Sequence, residues 1–125
     1  GMTSHLVYSR WDAERPASQS PTIIHDIIRG RIGFDGWLIS DDIGMDALRG
    51  GSDARAAGVV AAGCDVALHC TGDMAEMVAV AGAVAPMTAE SEERLARAMA
   101  TALVDEEGPD YAEAAAKRDE LLALA

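Results

Sequence analysis

Aromatic side chains are scarce in this chain: one Phe, two Trp and two Tyr among 125 residues. Alanine is abundant instead, so the core must be assembled from small and aliphatic groups, which favours helices in close contact. Basic residues are also few, ten against 21 acidic ones, giving a formal charge of −11. A field of that sign repels phosphate backbones and anionic lipid headgroups, and nucleic acid is not an expected partner. Long apolar runs are missing as well. None approaches the roughly 20 residues that cross a bilayer, and no basic stretch followed by a hydrophobic one opens the chain, so neither membrane nor export is expected. There are only two cysteines. Cys64 and Cys70 have neither C-x-x-C spacing nor a companion histidine cluster, and read as two small buried hydrophobes in a reducing, cytoplasmic compartment, not as ligands or nucleophiles. Gly1 before Met2 reads as a remnant of tag cleavage and is set aside.

What is present suffices for one domain. Half of the residues are apolar, and a chain of this length typically buries roughly two-thirds of its unfolded surface. "MTSHLVY" (2–8) is β-prone and predicts a short strand before the polar loop "SRWDAERPASQ". A helix start follows: Ser20 can accept from free N–H groups of the first turn, Pro21 fits the first helical position, and Ile23, Ile24, Ile27 and Ile28 make one apolar stripe. Gly30 or Gly33 can end that helix in a left-handed conformation. "GWLIS" (36–40) is a continuous apolar run suited to a strand buried on both faces. Residues 50–63 predict a helix with Ser52 as a possible cap and Gly63 as its end. "CDVALHC" (64–70) is another buried strand. Residues 73–85 are helical, with Met74, Met77, Val78 and Ala81 on one side and Pro86 as the stop. From there only helices are expected. Thr88 can cap one that carries Leu95, Met99 and Leu103, "EEGP" breaks it, and 110–125 forms the last.

Strands alternating with helices imply parallel pairing through right-handed crossovers. Three such units make either a small open sheet or a slice of a (β/α)₈ barrel. In both, residues at the C-terminal ends of strands line the functional face, and Asp41 and Asp42 fall there. Alternation sends Asp41 to one side and Asp42 to the other, so the carboxylates should have different jobs. A Mg²⁺ site shared with Asp46 lacks further oxygens at a recognisable spacing, and no metal or other cofactor is expected.

The run "IIRGRIGFDGWLISDDIGM" resembles the nucleophile-bearing segment of family-three glycoside hydrolases of the bacterial β-N-acetylhexosaminidase type. There a helix leads to Gly-Phe-Asp-Gly, a strand and Ser-Asp-Asp. The flanks agree: "MTSHLVY" is similar to a Met-Thr-Ala-His strand, "RPASQSP" to a Pro-Ala-x-x-Ser-Pro linker, and "AAGCDVALHC" to an Ala-Gly-Cys-Asp strand, so the likeness runs from Met2 to about Pro86. Ser4 stands where Ala is common, and Ile43-Gly44 where Leu-Ser is. The resemblance implies a partial (β/α)₈ barrel: residues 2–86 would be its last three β/α units with parallel strands, and 87–125 two C-terminal helices, all one truncated domain. It implies a retaining glycosidase acting on amino-sugar glycosides such as peptidoglycan fragments, with Asp41 as nucleophile. His5 becomes a candidate for the pocket wall or a hydrogen bond to sugar or carboxylate, the alternative being a satisfied core imidazole. Met45 can contact the sugar or pack in the core. His69 can face the pocket, whereas His25 reads as a solvated helix side chain.

One part of the family pattern is missing. Its acid/base and sugar-holding residues come from earlier loops, notably Lys-His-x-Pro-Gly-His-Gly, which these 125 residues lack. Retaining hydrolysis uses two groups on opposite sides of the scissile bond, so the isolated chain is expected to be inactive. A three-stranded remnant would also leave sheet edges open, which predicts self-association into a homo-oligomer. The competing reading is a non-catalytic binding or assembly module. Phosphate binding at the helix start near "RGGSD" is weaker, with no P-loop behind it.

Overall fold

The computed structural model describes residues 1–102 and 110–124. Its order is a single 3₁₀ turn (Ala17–Gln19), a π-helix (Thr22–Arg31), β1 (Ile39–Asp42), α1 (Ser52–Ala61), β2 (Val66–Leu68), α2 (Met74–Ala83), α3 (Ala89–Ala102) and α4 (Tyr111–Leu122). β1 and β2 pair in parallel, and Met2 bridges Ile39, also in parallel, on the other side of β1. The fold is therefore α/β with parallel strands, as the alternation predicts. No helix among the described residues is long and apolar enough to cross a membrane.

The first strand does not form as a strand. Thr3 N donates to Ile39 O and Ile39 N to Gly1 O, but the pairing stops there. The Asp41 carbonyl, next in such a ladder, is taken by Ser40 Oγ at 2.7 Å, the His5 side chain bonds Asp42 O at 2.9 Å, and beyond it Leu6, Val7 and Tyr8 are exposed. The other strands are shorter than 36–40 and 64–70, and β1 sits later, so Asp41 and Asp42 are its last two residues. At its foot the Asp65 carboxylate takes the Leu38 N–H at 2.8 Å, a side chain standing in for a ladder carbonyl.

The helix caps follow the sequence in most places. Ser20 Oγ accepts from Ile23 N at 3.2 Å, Thr88 Oγ1 from Ser91 N at 3.1 Å, and Gly33 and Gly63 have positive φ. Ser52 is not a cap: Gly51 holds that position without a side-chain bond, and Ser52 is the first helical residue. The helix after Pro21 is wider than an α-helix, with Ile32 N reaching back five residues to Ile27 O. Its Ile23 and Ile24 are buried.

The core gathers Ile24, Leu38, Ile43, Leu48, Ala56, Val59, Ala62 and Cys64, with Val80 and Val84 of the α2 region packed against it. The expected apolar side of α2 is thus not the buried one: Met74 and Val78 are 68% and 65% exposed. Met, Val and Ala surround this helix on every side, so no polar face in the sequence marks which side turns inward. Leu95 of α3 is half-buried and Met99 exposed. Leu103 and the "EEGP" break lie outside the described residues.

A charge cluster fastens α3 to the foot of β2. Asp65, its side chain 2% exposed, is paired with Arg29 at 2.9 Å and Arg94 at 3.1 Å and accepts from Ser91 Oγ at 2.7 Å. Burial alone would raise its pKa, but the Ser91, Leu38 N–H and Arg94 donors outweigh that and hold the carboxyl below its ordinary value.

Candidate active site

The C-terminal end of β1 is irregular. Ile39 faces Val66 and Asp42 faces Leu68, so β1 takes three steps where β2 takes two. One extra residue is accommodated around Ser40 and Asp41, a bulge of the kind that re-aims side chains. Ser40 repairs the interrupted ladder: its buried Oγ donates to Asp41 O at 2.7 Å and accepts from Leu68 N at 3.0 Å. The sequence offered a serine inside an apolar strand as the only hint of this.

The two carboxylates do differ. Asp42 Oδ1 accepts from Gly44 N at 2.9 Å and Cys70 N at 3.2 Å, tying together the loops that leave β1 and β2. A Cβ at Gly44 would stand 3.2 Å from both Asp42 Oδ1 and Thr71 Cγ2, so the loop closes this tightly only because that residue is glycine. Asp41 Oδ1 accepts from Asp42 N at 2.9 Å. Its other oxygen takes no hydrogen bond from the described residues, and the side chain is half-buried. One oxygen is thus fixed and the other is open to a ligand.

His5 is buried, with Nδ1 2.7 Å from Ser18 Oγ and Nε2 2.9 Å from Asp42 O. Both nitrogens are engaged inside the chain, so His5 holds the strand end that carries Asp41. Ser18 is a supporting residue that the sequence reading missed; its place in "RPASQSP" was the available signal. Met45, 45% exposed, donates its N–H to Asp42 O at 3.1 Å. Arg55 pins this turn by donating to Ile43 O and Met45 O.

His69 bonds towards the start of α2. Its side chain is 7% exposed, and Nε2 lies 3.1 Å from Glu76 Oε2 and 3.0 Å from Thr71 Oγ1, at the start of α2. Nδ1 has no partner among the described residues. The structure thus gathers His5, Asp41, Asp42 and Met45 at one strand tip, with His69 next to the Cys70 amide that Asp42 holds and its Nε2 turned to Thr71 and Glu76. His25 is exposed, its imidazole lying 3.0 Å from where a Cβ on Gly63 would be.

Only one cysteine meets its expectation. Cys64 is buried, which pushes its thiol up to about 11. Cys70 is exposed, because the strand ends at Leu68 and the chain there has already turned into the loop. Local desolvation and then the nearby Asp42 and Asp41 charges hold its thiol above the ordinary value, so it is a poor nucleophile despite its access. Among the described residues no three His, Cys, Asp or Glu side chains converge as a metal-holding group.

Comparison with known proteins places this arrangement. The β-hexosaminidase of Stenotrophomonas maltophilia (strain R551-3) is 49% identical over 71 residues, which cover 55% of this chain and 21% of that protein. That of Chromobacterium violaceum is 39% identical over 100 residues, covering 76% of this chain and 28% of the relative. The chain therefore spans about a quarter of the length of these curated relatives. Among solved structures, native NagZ from Neisseria gonorrhoeae superposes with a TM-score of 0.62 at 28% identity, over 86% of this chain and 34% of NagZ. The β-N-acetylhexosaminidase from Beutenbergia cavernae gives a TM-score of 0.52 at 31% identity, over 90% and 28%. Residues 1–103 match the model of the glycosyl hydrolase family 3 N-terminal domain, and the chain belongs to that family.

Proposed function

We propose that this chain is the nucleophile-bearing part of a retaining β-N-acetylhexosaminidase. Residues 2–86 supply the last three β/α units of a (β/α)₈ barrel and 87–125 its C-terminal helices. Its substrate is a terminal β-N-acetylglucosamine linked to another amino sugar, as in peptidoglycan fragments. The two free cysteines favour a reducing, cytoplasmic setting. The observation that carries the reading is Asp41: a carboxylate at a parallel strand tip, one oxygen held by a backbone N–H and the other unclaimed. The free oxygen attacks the anomeric carbon, the bond to the leaving oxygen breaks, and a covalent glycosyl ester forms that water then hydrolyses. A proton must reach the leaving oxygen, and the Lys-His-x-Pro-Gly-His-Gly segment associated with that task is not among these residues. The chain alone is therefore inactive towards ordinary glycosides.

An assay can separate the two halves of that statement. With the β-linked N-acetylglucosamine disaccharide, whose leaving oxygen needs a proton, the purified chain should give no turnover above background. An activated fluoro-sugar, whose leaving group needs no proton, should leave a covalent mass increment on Asp41 that Asp41→Asn lacks. An increment on Asp42, or none, overturns Asp41 as nucleophile. Ready turnover of the disaccharide by the unaltered chain overturns the account of the missing donor. The alternative, a non-catalytic assembly module, is favoured by the unpaired outer edge of β2 and predicts no increment at all.

A further inference from the structure

We propose that Tyr8 and Trp11 form a stacking platform for the sugar ring on the leaving-group side of the bond. This rests on the reading of Asp41 as the reacting carboxylate. Met2 through His5 runs parallel to β1, with Met2 beside Ile39 and the His5 ring on Asp42 O. The chain is therefore travelling towards the strand tips when it leaves His5. Tyr8 follows three residues further on, so its Cα lies within ~10 Å of that of His5. The following loop lies beside the loop that leaves β1: Val7, Pro16, Gln19, Leu48 and Arg49 line one cavity of about 480 Å³ between them.

The platform is rigid. Trp11 N and Asp12 N both donate to Tyr8 O, at 2.8 and 3.0 Å, and Ala17 N donates to Leu6 O at 2.8 Å. Asp12 accepts from Glu14 N, Arg15 N and Ser20 Oγ. The two rings stand 5.8 Å apart, tilted by 35°, and are 42% and 44% exposed. Neither the Tyr8 hydroxyl nor the Trp11 indole N–H has a hydrogen-bond partner among the described residues. Apolar faces with free polar edges match a pyranose, which has a C–H face and a rim of hydroxyls, better than they match an aliphatic protein surface.

NMR titration of the chain with N-acetylglucosamine and with its β-linked disaccharide tests this. The Trp11 indole N–H should shift with the disaccharide, while that of Trp37, whose Nε1 is buried, stays in place. Trp11→Ala or Tyr8→Ala should weaken disaccharide binding roughly three- to tenfold and leave the monosaccharide unchanged, with Trp11→Phe keeping most of the gain. An unmoved Trp11 resonance, or a Trp11→Ala variant that binds the disaccharide as the original chain does, overturns the platform. Disaccharide binding that moves Trp11 while the Asp41 to Gly44 amides stay fixed supports the platform and counts against Asp41 as the reacting group. Binding of neither sugar overturns both.

Discussion

Asp65 is where the largest single-residue effect is expected. It is buried between two arginines and a serine hydroxyl, and truncating it leaves Arg29 and Arg94 without their shared partner. Asp65→Ala should cost about 3–5 kcal/mol, a large share of the ~5–15 kcal/mol a domain typically has, and urea unfolding followed by circular dichroism would read it. The same group sets an acid dependence. Its folded pKa is depressed below 3.8, so its stabilising contribution is complete above that value and is lost as pH falls through the folded pKa. The urea midpoint should therefore decline below about pH 4, and Asp65→Asn should make that decline shallower. An unchanged acid slope would show that Asp65 is not the group responsible.

At the scale of elements, features set by a residue's own backbone were legible, and those set by a distant side chain were not. Gly63 illustrates the first kind. It ends α1 at φ 112, and a Cβ there would lie 2.9 Å from Ile24 Cγ2. Gly63→Ala should destabilise by at least ~1–2 kcal/mol. Gly82→Ala, inside α2 with open space around it, should stabilise by roughly 0.5–1 kcal/mol; thermal melts of the pair would check both signs. The Ser20 and Thr88 caps and the strand-helix alternation were readable for the same local reason. The boundaries of the strands were not, because the Ser40 and Asp65 side chains take backbone groups that a ladder would use. Nor was the bulge at Ser40, since a two-residue alternation contains no sign of an inserted third. At the tip of β1, Asp41 and Asp42 were legible as strand-end carboxylates, and their hydrogen-bond partners differ. Ser18 depends on a contact with His5 thirteen residues away, and spacing alone carries no trace of it.

For the whole molecule, the edge of β2 away from β1 has no strand partner among the described residues. Leu68 directs both its N–H and its C=O towards β1, so Ala67 directs its own outward. An unpaired edge of this kind is a template for another strand, and self-association through it should give a mass above 13.0 kDa in light scattering behind size exclusion. Ala67→Pro removes the outward donor without touching the β1 ladder and should return the monomer; a chain that is monomeric from the start would refute the edge as an interface. The shortness of β2 matters in another way. Asp65 precedes its first residue and the Cys70 amide held by Asp42 follows closely after its last, so one rod of three residues joins the ionic clasp below to the strand-tip rim above. Loosening the clasp by Asp65→Asn should therefore be felt at the far end of that rod, as shifted NMR resonances of the Gly44 and Cys70 amides that Asp42 holds.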